Sequence, residues 1–333
     1  MKLFEVSFRL IFAGAHSRFA LSFVFGISFL GLSGCAATLA PQSEFSNPEP
    51  SLIKVLIVDG QNNHYIWPKS TALMKAFLEE SGRFSVDVYR TRYTWRGDKF
   101  IEDYPANDGR AHETVTEAKT DPTFEPEFHM YDVVISNFGW KAAPWPETTK
   151  RSFEQYMQSG GGFVSVHAAN NSFPNWTEYN KMIGLGGWGG RNQKDGPYIY
   201  YDESGVLMRD MSQGQGGGHG AVHSFSIQVR NNSHPVTQDI PLTWKHSADE
   251  LYNRLRGPAD NLTVLATAFD SKKYNGFGRH EPVFMTINYH QGRVFHTTLG
   301  HGENVYADPM FMKVLAKGVA WAGGAKLTEK GVE

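Results

Sequence analysis

The sequence predicts an α/β fold built on a mostly parallel sheet with helices on both faces. Three observations predict it. Short runs of β-branched and other apolar residues, typical of buried parallel strands, recur along the chain. Segments with apolar residues at helical spacing alternate with these runs. The turns between them are short, so the crossovers are expected to be right-handed and to lay helices on both faces of the sheet.

The first half of the domain shows this alternation most clearly. Leu73, Phe77 and Leu78 share one helical face, which indicates a helix between the first two strands. Pro146 suits the start of a second helix, and the glycines at 160–162 end it. The predicted strands are 53–58, 84–89, 131–137 and 163–166, and the predicted helices are 70–81 and 146–159.

The second half is predicted to add four strands and a closing helix. Residues 288–292 have the composition of a hairpin turn between the last two strands. Residues 93–128 are charged and without a clear period, which indicates an insertion, and the Gly-rich residues 186–219 indicate either a lid over a site or a disordered loop. The predicted strands are 223–230, 262–269, 283–287 and 293–299, and the predicted helix is 309–323.

The N-terminus has the pattern of a secretion signal. Lys2, Arg9 and Arg18 supply positive charge, and residues 19–32 are almost wholly apolar but too few to span a membrane as a helix. This run ends in Leu-Ser-Gly before Cys35, which resembles the lipobox of bacterial lipoproteins and predicts lipidation of Cys35. A buried free cysteine behind an ordinary signal peptide is the alternative.

We therefore predict three segments. Residues 1–34 are a lipoprotein signal peptide, residues 35–51 are the lipidated cysteine and a flexible tether rich in Pro and Ser, and residues 52–325 form the folded domain. Ala36 and Ala37 carry no acidic retention signal, so we expect a lipid anchor in the outer membrane or at the periplasmic face.

Composition excludes two classes of function. The 32 basic and 34 acidic residues give a net charge of −2, without the basic footprint of a nucleic-acid-binding protein. The chain has one cysteine, and lipidation would use it, so the domain has neither a disulfide nor a thiol nucleophile. The 8 Trp, 14 Tyr and 23 Phe fit both carbohydrate handling and a dense aromatic core.

Polar side chains follow several predicted strands at their carboxyl ends. His64 follows the first strand, Asn137 ends the third, and His167 ends the fourth. His301 follows the last strand and lies between two glycines, where the backbone can approach a ligand closely. Ligands of such sheets bind beyond the carboxyl ends of the strands, so we expect these side chains to converge there.

Several motifs together resemble the ThuA-like (trehalose utilisation) family over nearly all of residues 53–323. The resemblance implies a flavodoxin-like fold related to the class I glutamine amidotransferases. In those enzymes a cysteine occupies the turn after a strand, and here that turn carries His167, so thiolate amidotransferase chemistry is excluded. The motifs are Gly-Gly-Gly-Phe-Val-Ser-Val-His at 160–167, His-Pro-Val-Thr-Gln-Asp-Ile-Pro at 234–241, Asp-Glu-Leu-Tyr at 249–252, Glu-Pro-Val at 281–283, Gly-Arg-Val-Phe-His-Thr-Thr-Leu-Gly-His-Gly-Glu at 292–303 and Ala-Asp-Pro at 307–309.

The resemblance implies a role in sugar catabolism, notably with disaccharides oxidised at carbon 3. A lyase, hydrolase or isomerase acting on a keto sugar needs mainly a base, an acid and a partner for the oxyanion, and histidine can carry protons in both directions near neutral pH. The predicted catalytic residues are His167, His301 and Glu250, and the predicted substrate-binding residues are His64, Asn137, Asp249 and Glu303. Tyr252 is interpreted as a core residue, His234 as structural, and His219 and His223 as solvated.

Two further alternatives stay open at this point. The chain has no His-Glu-x-x-His or paired-cysteine motif, but a divalent ion held by His and Glu residues at strand ends needs no local motif. The protein could also be a non-catalytic surface protein that binds carbohydrate through Trp140, Trp145 and Trp188, or an accessory subunit of a sugar oxidoreductase system. The sequence predicts neither a particular sugar nor an oligomeric state.

Overall fold

A computed structural model describes residues 52–324 of the chain. The predicted signal peptide, Cys35 and the predicted tether lie outside these residues. Within them no helix is both long enough and apolar enough to cross a membrane.

The described residues form fourteen strands and five α-helices. The strands are β1 (Ile53–Gln61), β2 (Phe84–Trp95), β3 (Glu113–Val115), β4 (Val133–Ser136), β5 (Gly162–Val166), β6 (Tyr198–Tyr201), β7 (Leu207–Asp210), β8 (Gly218–His219), β9 (Ser226–Val229), β10 (Thr243–Lys245), β11 (Tyr252–Asn253), β12 (Leu262–Asp270), β13 (Arg279–Tyr289) and β14 (Gly292–Thr297). The helices are α1 (Trp67–Glu80), α2 (Glu147–Gln158), α3 (Thr177–Ile183), α4 (Glu303–Tyr306) and α5 (Pro309–Ala322).

Six neighbouring strands form the parallel part of the main sheet, in the order β14-β5-β4-β1-β2-β3. The chain builds β1, β2 and β3 outward in one direction, then returns to place β4 and β5 on the other side of β1. The point where this direction reverses lies between β1 and β4. A ligand site is expected beyond the carboxyl ends of these two strands.

The rest of the main sheet is antiparallel and continues from β14 in the order β13-β12-β9-β10. β6 pairs with β13, and β7 pairs with β6. The change of direction occurs at the predicted hairpin, where Tyr289 pairs with Gly292 across a two-residue loop. Only antiparallel neighbours can be joined by so short a connection. The hairpin prediction is therefore confirmed.

Both faces of the sheet are buried, as the α/β prediction requires. Val55 and Ile57 of β1 pack in one apolar cluster with residues of α1 and α5. Leu56 and Val58 point to the opposite face and pack in a second cluster with Phe153 of α2 and residues of α3. Successive side chains of a strand alternate between faces, so an unbroken apolar run is buried on both sides.

The helix ends follow local chemistry. Pro68 lies in the first turn of α1, where its missing N–H costs nothing, and this helix begins three residues before the predicted start. The Asp308 side chain accepts hydrogen bonds from the backbone N–H groups of Met310 and Phe311, and Pro309 follows it at the first helical position. This N-cap fixes the start of α5 at the predicted residue.

The two irregular stretches contain more structure than expected. β2 runs on to Trp95 and pairs with β3, so the predicted insertion extends the parallel sheet by one strand. The Gly-rich stretch contains β6, β7 and β8 and is fixed by two buried arginines. Arg191 donates to the carbonyl groups of Gly187 and Ser172, and Arg256 donates to those of Gly196 and Ser212.

Candidate functional site

Four histidine rings surround the carboxylate of Glu250. The Nε2 atoms of His64 and His167 each lie 3.8 Å from Oε2 of Glu250. On the other side of the carboxylate, Nε2 of His219 lies 3.6 Å and Nε2 of His301 lies 3.3 Å from Oε1. We call these five side chains the histidine–glutamate cluster.

The parallel strands place three of the four histidines. His64 comes three residues after β1, His167 directly follows β5, and His301 comes four residues after β14. These strands all end at the carboxyl edge of the sheet, so side chains far apart in sequence meet there. The ring centroids of His64 and His167 are 4.8 Å apart, and those of His64 and His301 are 5.0 Å apart. The convergence expected from the sequence is present for these three histidines.

The second half of the chain supplies the remaining side chains. β8 and β11 form a small antiparallel pair in which His219 lies opposite Tyr252. Glu250 is two residues before Tyr252, and side chains two residues apart in an extended segment point to the same side. This pair therefore delivers His219, Glu250 and Tyr252 to the site together.

His167 is held in a strained turn. Its φ of 46° is unusual for a residue other than glycine, and a short 3₁₀ helix (His167–Asn171) follows directly. The ring is buried rather than exposed. Its Nδ1 lies 2.7 Å from the carbonyl oxygen of Thr298, and its Nε2 lies 2.9 Å from the hydroxyl of Tyr252. A carbonyl can only accept, so Nδ1 carries the proton, and Nε2 accepts a hydrogen bond from Tyr252.

The electrostatic environment keeps the inner histidines neutral. Burial, together with the nearby rings of His64 and His301, lowers the pKa of His167 well below its usual value. Burial and the neighbouring imidazoles of His301 and His219 also lower the pKa of His64, to about 3. Burial raises the pKa of Glu250, and the Asp249 carboxylate adds to this, while His301 and His219 oppose it. The pKa of His64 thus falls below that of Glu250, the reverse of the usual order, and perturbed pKa values of this kind are concentrated at functional sites.

The Asp249 carboxylate faces the backbone of the site rather than the cavity. It accepts hydrogen bonds from the N–H groups of Glu250 at 2.8 Å and of Gly300 and His301 at 3.0 Å. Its other contact is the buried ring of His246, at 3.2 Å. Asp249 therefore joins the loop that carries His301 to the segment that carries Glu250.

Gly300 is required where this loop passes the His167 ring. Its φ is +133°, a conformation that favours glycine. A Cβ atom at this position would lie 3.1 Å from the Cβ of His167 and 3.0 Å from the hydroxyl oxygen of Tyr306. The glycine before His301 thus allows the loop to approach His167 closely.

Two other predicted site residues pair their polar groups with α1. The Asn137 amide donates hydrogen bonds to the carbonyl of Trp67 and to the hydroxyls of Ser70 and Thr71, so it ties β4 to α1. Asn137 borders a small cavity together with His64 and His167, but its amide hydrogens are used by α1. Glu303 is half exposed, and its carboxylate pairs with Lys69 at 2.6 Å.

Two residues of the site have other roles than the sequence indicates. Tyr252 is buried, as expected of a core residue, but its hydroxyl contacts His167. His219 is exposed, as expected of a solvated residue, and its Nε2 also faces Glu250. Tyr252 could have been placed in the site from the sequence, because it lies two residues after Glu250 in an extended segment and so points to the same side. His234 accepts a hydrogen bond from the N–H of Val236, in agreement with a structural role.

A cavity of about 330 Å³ opens onto the cluster. Trp140 and Trp188 form part of its wall. Its volume is at the lower end of the range typical of small-molecule sites, about 300–1,000 Å³. A larger cleft of about 660 Å³ lies between α1 and β2, but its charges are largely paired, Lys75 with Glu79 and Arg90 with Asp59. The smaller cavity, which holds the converging groups, is the candidate site.

Fold and site together define a class: a flavodoxin-like, amidotransferase-like α/β protein whose strand-end turn presents a histidine in place of a thiol. The family model described as "ThuA: Trehalose utilisation" matches residues 54–322. The chain belongs to the ThuA family, as its motifs indicated.

Solved structures agree with this assignment. A ThuA-like protein of Parabacteroides merdae is 38% identical, with a TM-score of 0.73 over 84% of this chain and 93% of that one. A ThuA-like protein of Bacteroides uniformis is 19% identical, with a TM-score of 0.50 over 81% of this chain and 91% of that one, and it supports the fold alone. None of the curated proteins compared with the sequence matches it.

Proposed function

We propose that the protein is an exported, lipid-anchored enzyme of carbohydrate metabolism that acts on a sugar or 3-keto sugar by histidine-based acid/base chemistry. Membership of the ThuA family supports the role in carbohydrate metabolism. The observation that carries the chemistry is the convergence of four imidazole Nε2 atoms on the Glu250 carboxylate at 3.3–3.8 Å. Such a group of titratable side chains beside a cavity is the usual mark of a proton-transfer site.

The cluster contains the groups that a keto sugar requires. A 3-keto group acidifies the neighbouring C–H, so a base removes that proton and the electron pair moves to the carbonyl oxygen as an enolate. An acid then returns a proton, to the departing oxygen in an elimination or to carbon in an isomerisation. His301 is the most accessible candidate among the predicted catalytic residues, with a side chain 33% exposed, and Glu250 and His167 lie next to it.

A non-catalytic carbohydrate-binding protein is the second candidate. The rings of Trp140 and Trp188 at the cavity wall favour it, because flat apolar faces suit the CH surfaces of a sugar. Trp145 offers no support, since it is 3% exposed and packs among Phe124, Phe128 and Phe153. An accessory subunit of a sugar oxidoreductase system would give the same result, because in isolation it would bind the sugar without converting it.

Turnover separates these candidates. The full chain, purified in detergent, is incubated with 3-keto glucosides, 3-keto disaccharides and their unoxidised parents, and the sugars are followed by NMR. We expect a keto substrate to be consumed. Glu250→Gln is expected to slow its consumption at least about 100-fold, because the amide of glutamine cannot accept a proton as the carboxylate does. His129→Gln, an exposed change outside the cluster, is expected to retain full activity.

Binding of a sugar without any turnover by the full chain would contradict the enzyme and favour the binding protein. If the Glu250→Gln protein consumed the keto sugar as fast as the unchanged protein, the histidine–glutamate cluster would have no part in catalysis.

The membrane anchor gives a separate prediction. Expressed in a bacterium with a lipoprotein pathway, the full chain is expected to fractionate with membranes and to carry several acyl groups on Cys35, because one acyl chain alone anchors a protein only marginally. Cys35→Ala is expected to move the protein to the soluble fraction. Fractionation and intact-mass measurement check both. A membrane-bound Cys35→Ala protein, or an unmodified Cys35, would contradict the anchor.

A further inference from the structure

We propose that His64, His167 and Glu250 bind a divalent first-row transition-metal ion, with the two imidazole Nε2 atoms and a carboxylate oxygen as ligands. Among the described residues, these three offer ligand atoms that all lie within 4.8 Å of one another. The inference goes beyond the proposed function and does not depend on it.

The hydrogen bonds of the ring nitrogens direct unprotonated Nε2 atoms toward the carboxylate. The carbonyl of Thr298 holds the proton of His167 on Nδ1, and the carbonyl of Gly220, 2.9 Å from Nδ1, does the same for His219. A metal-binding histidine usually has its other nitrogen fixed by a carbonyl or carboxylate in this way. His219 therefore directs an unprotonated Nε2 at Glu250. Nε2 of His167 is also unprotonated, but its lone pair accepts the hydrogen bond of the Tyr252 hydroxyl, which a bound ion would have to displace.

A chain of amide contacts orients His64 in the same sense. The Asn62 amide nitrogen donates to the carbonyls of Asn137 and Phe138, so its oxygen faces His64 and accepts the Nδ1 proton at 3.3 Å. The Asn63 oxygen accepts from the N–H of Trp140, which turns the Asn63 nitrogen toward Nε2 of His64, 3.4 Å away. Nε2 of His64 is therefore also an acceptor.

Neither Nε2 atom, of His64 or of His167, carries a proton that it could donate to the Glu250 carboxylate, so no hydrogen bond joins these rings to it. The separations fit an ion better than hydrogen bonds. Both His64 and His167 place Nε2 at 3.8 Å from Oε2 of Glu250, beyond the usual limit of about 3.2 Å for an N–H···O bond. Two ligands of one ion, each about 2.1 Å from it, lie about 3.0–3.4 Å apart. The three ligand atoms lie within 4.8 Å of one another, so the side chains would have to draw together by up to about 1.5 Å at the widest pair to reach that spacing on one ion.

The ligand types limit the identity of the ion. Two imidazoles and one carboxylate suit zinc, iron, manganese, cobalt or nickel better than calcium or magnesium, which prefer oxygen ligands alone. His219 and His301 approach the other carboxylate oxygen, at 3.6 and 3.3 Å, and are placed to complete the coordination or to carry protons beside the ion. If the proposed function holds, the ion would polarise the keto oxygen of the sugar, and His301 would remain the proton carrier.

Metal analysis and titration test the inference without reference to activity. The full chain is purified without chelators, its metal content is measured, and the EDTA-treated protein is titrated with Zn²⁺ by calorimetry. We expect one ion per chain and a higher Tm on addition of Zn²⁺. His64→Ala and Glu250→Gln are each expected to weaken the Zn²⁺ Kd by more than the about 10–100-fold typical of outer-shell changes. The exposed changes His129→Gln and His290→Gln serve as matched controls and should leave the Kd unchanged.

X-ray absorption at the zinc edge of the unchanged chain counts imidazole ligands directly, so the result does not depend on the folding of any variant. Two or more imidazoles with oxygen ligands are the expected shell. An all-oxygen shell, no binding at micromolar Zn²⁺, or unchanged binding in both cluster variants would overturn the inference. If an ion binds but no sugar is turned over, the metal site stands and the proposed function is refuted. If the EDTA-treated protein turns over sugar fully and no ion is detected, the proposed function stands and the metal site is refuted.

Discussion

Replacement of His167 by alanine is expected to lower kcat/KM on the keto-sugar substrate by about 10²–10⁴-fold, the range by which a general acid or base accelerates a reaction. The ring is buried between the carbonyl of Thr298 and the hydroxyl of Tyr252, and its Nε2 faces Glu250. His167 is the first residue after β5. Steady-state kinetics by NMR or a coupled assay on the full chain measures the loss.

A control variant and a check of folding accompany this change. His234→Gln alters a half-buried histidine with a structural hydrogen bond and is expected to leave kcat/KM unchanged. His167→Ala leaves the Thr298 carbonyl without its partner, which we expect to cost about 1–3 kcal/mol of unfolding free energy without loss of the fold. Near-UV circular dichroism checks this. A folded His167→Ala protein with unchanged kcat/KM would refute a catalytic role for His167.

Replacement of Asp59 by alanine is expected to lower the free energy of unfolding by about 3–5 kcal/mol. Asp59 and Arg90 are almost fully buried between β1 and β2 and form two hydrogen bonds, of 2.8 and 2.9 Å. The Arg90 guanidinium also lies 4.6 Å from the centre of a Trp67 ring. Removing the carboxylate leaves a buried charge without its counter-ion, so the loss far exceeds that of a surface pair. Urea unfolding of the full chain measures it.

The matched control is the exposed pair of Glu147 and Lys150 on α2, in which Glu147 is 72% exposed. Glu147→Ala is expected to change the free energy of unfolding by at most about 1 kcal/mol. The double change Asp59→Leu with Arg90→Met removes both charges and is expected to recover most of the loss. An Asp59→Ala protein as stable as the unchanged chain would contradict this account of the pair.

Much of the parallel half could be predicted because its signals are local. Apolar runs in the sequence predict β1, β4 and β5. Because the carboxyl ends of parallel strands lie at one edge of a sheet, the positions of His64, His167 and His301 near one another are also predictable. Glu250 is named from the family motif at 249–252 and not from a visible strand, since β11 is only two residues long. The three histidines share one property: each follows a strand that the sequence shows clearly.

The missed features depend on contacts between distant segments. The position of His219 is set by the pairing of β8 with β11, and no local pattern in a Gly-rich stretch reports such a partner. The extension of β2 to Trp95 depends in the same way on its pairing with β3. Asn137 followed a strand end like the histidines, but Ser70 and Thr71 of α1 use its amide hydrogens. Strand-end position alone does not distinguish a ligand-binding side chain from a structural one.

Asp249 has a consequence for how a ligand would be received. One carboxylate accepts the N–H groups of Glu250, Gly300 and His301, so the two sides of the site are fixed to each other before any ligand arrives. Little conformational entropy then remains to be lost on binding, and affinity depends mainly on the contacts made. A site pre-organised in this way discriminates by shape, because the backbone cannot rearrange around a ligand that fits poorly.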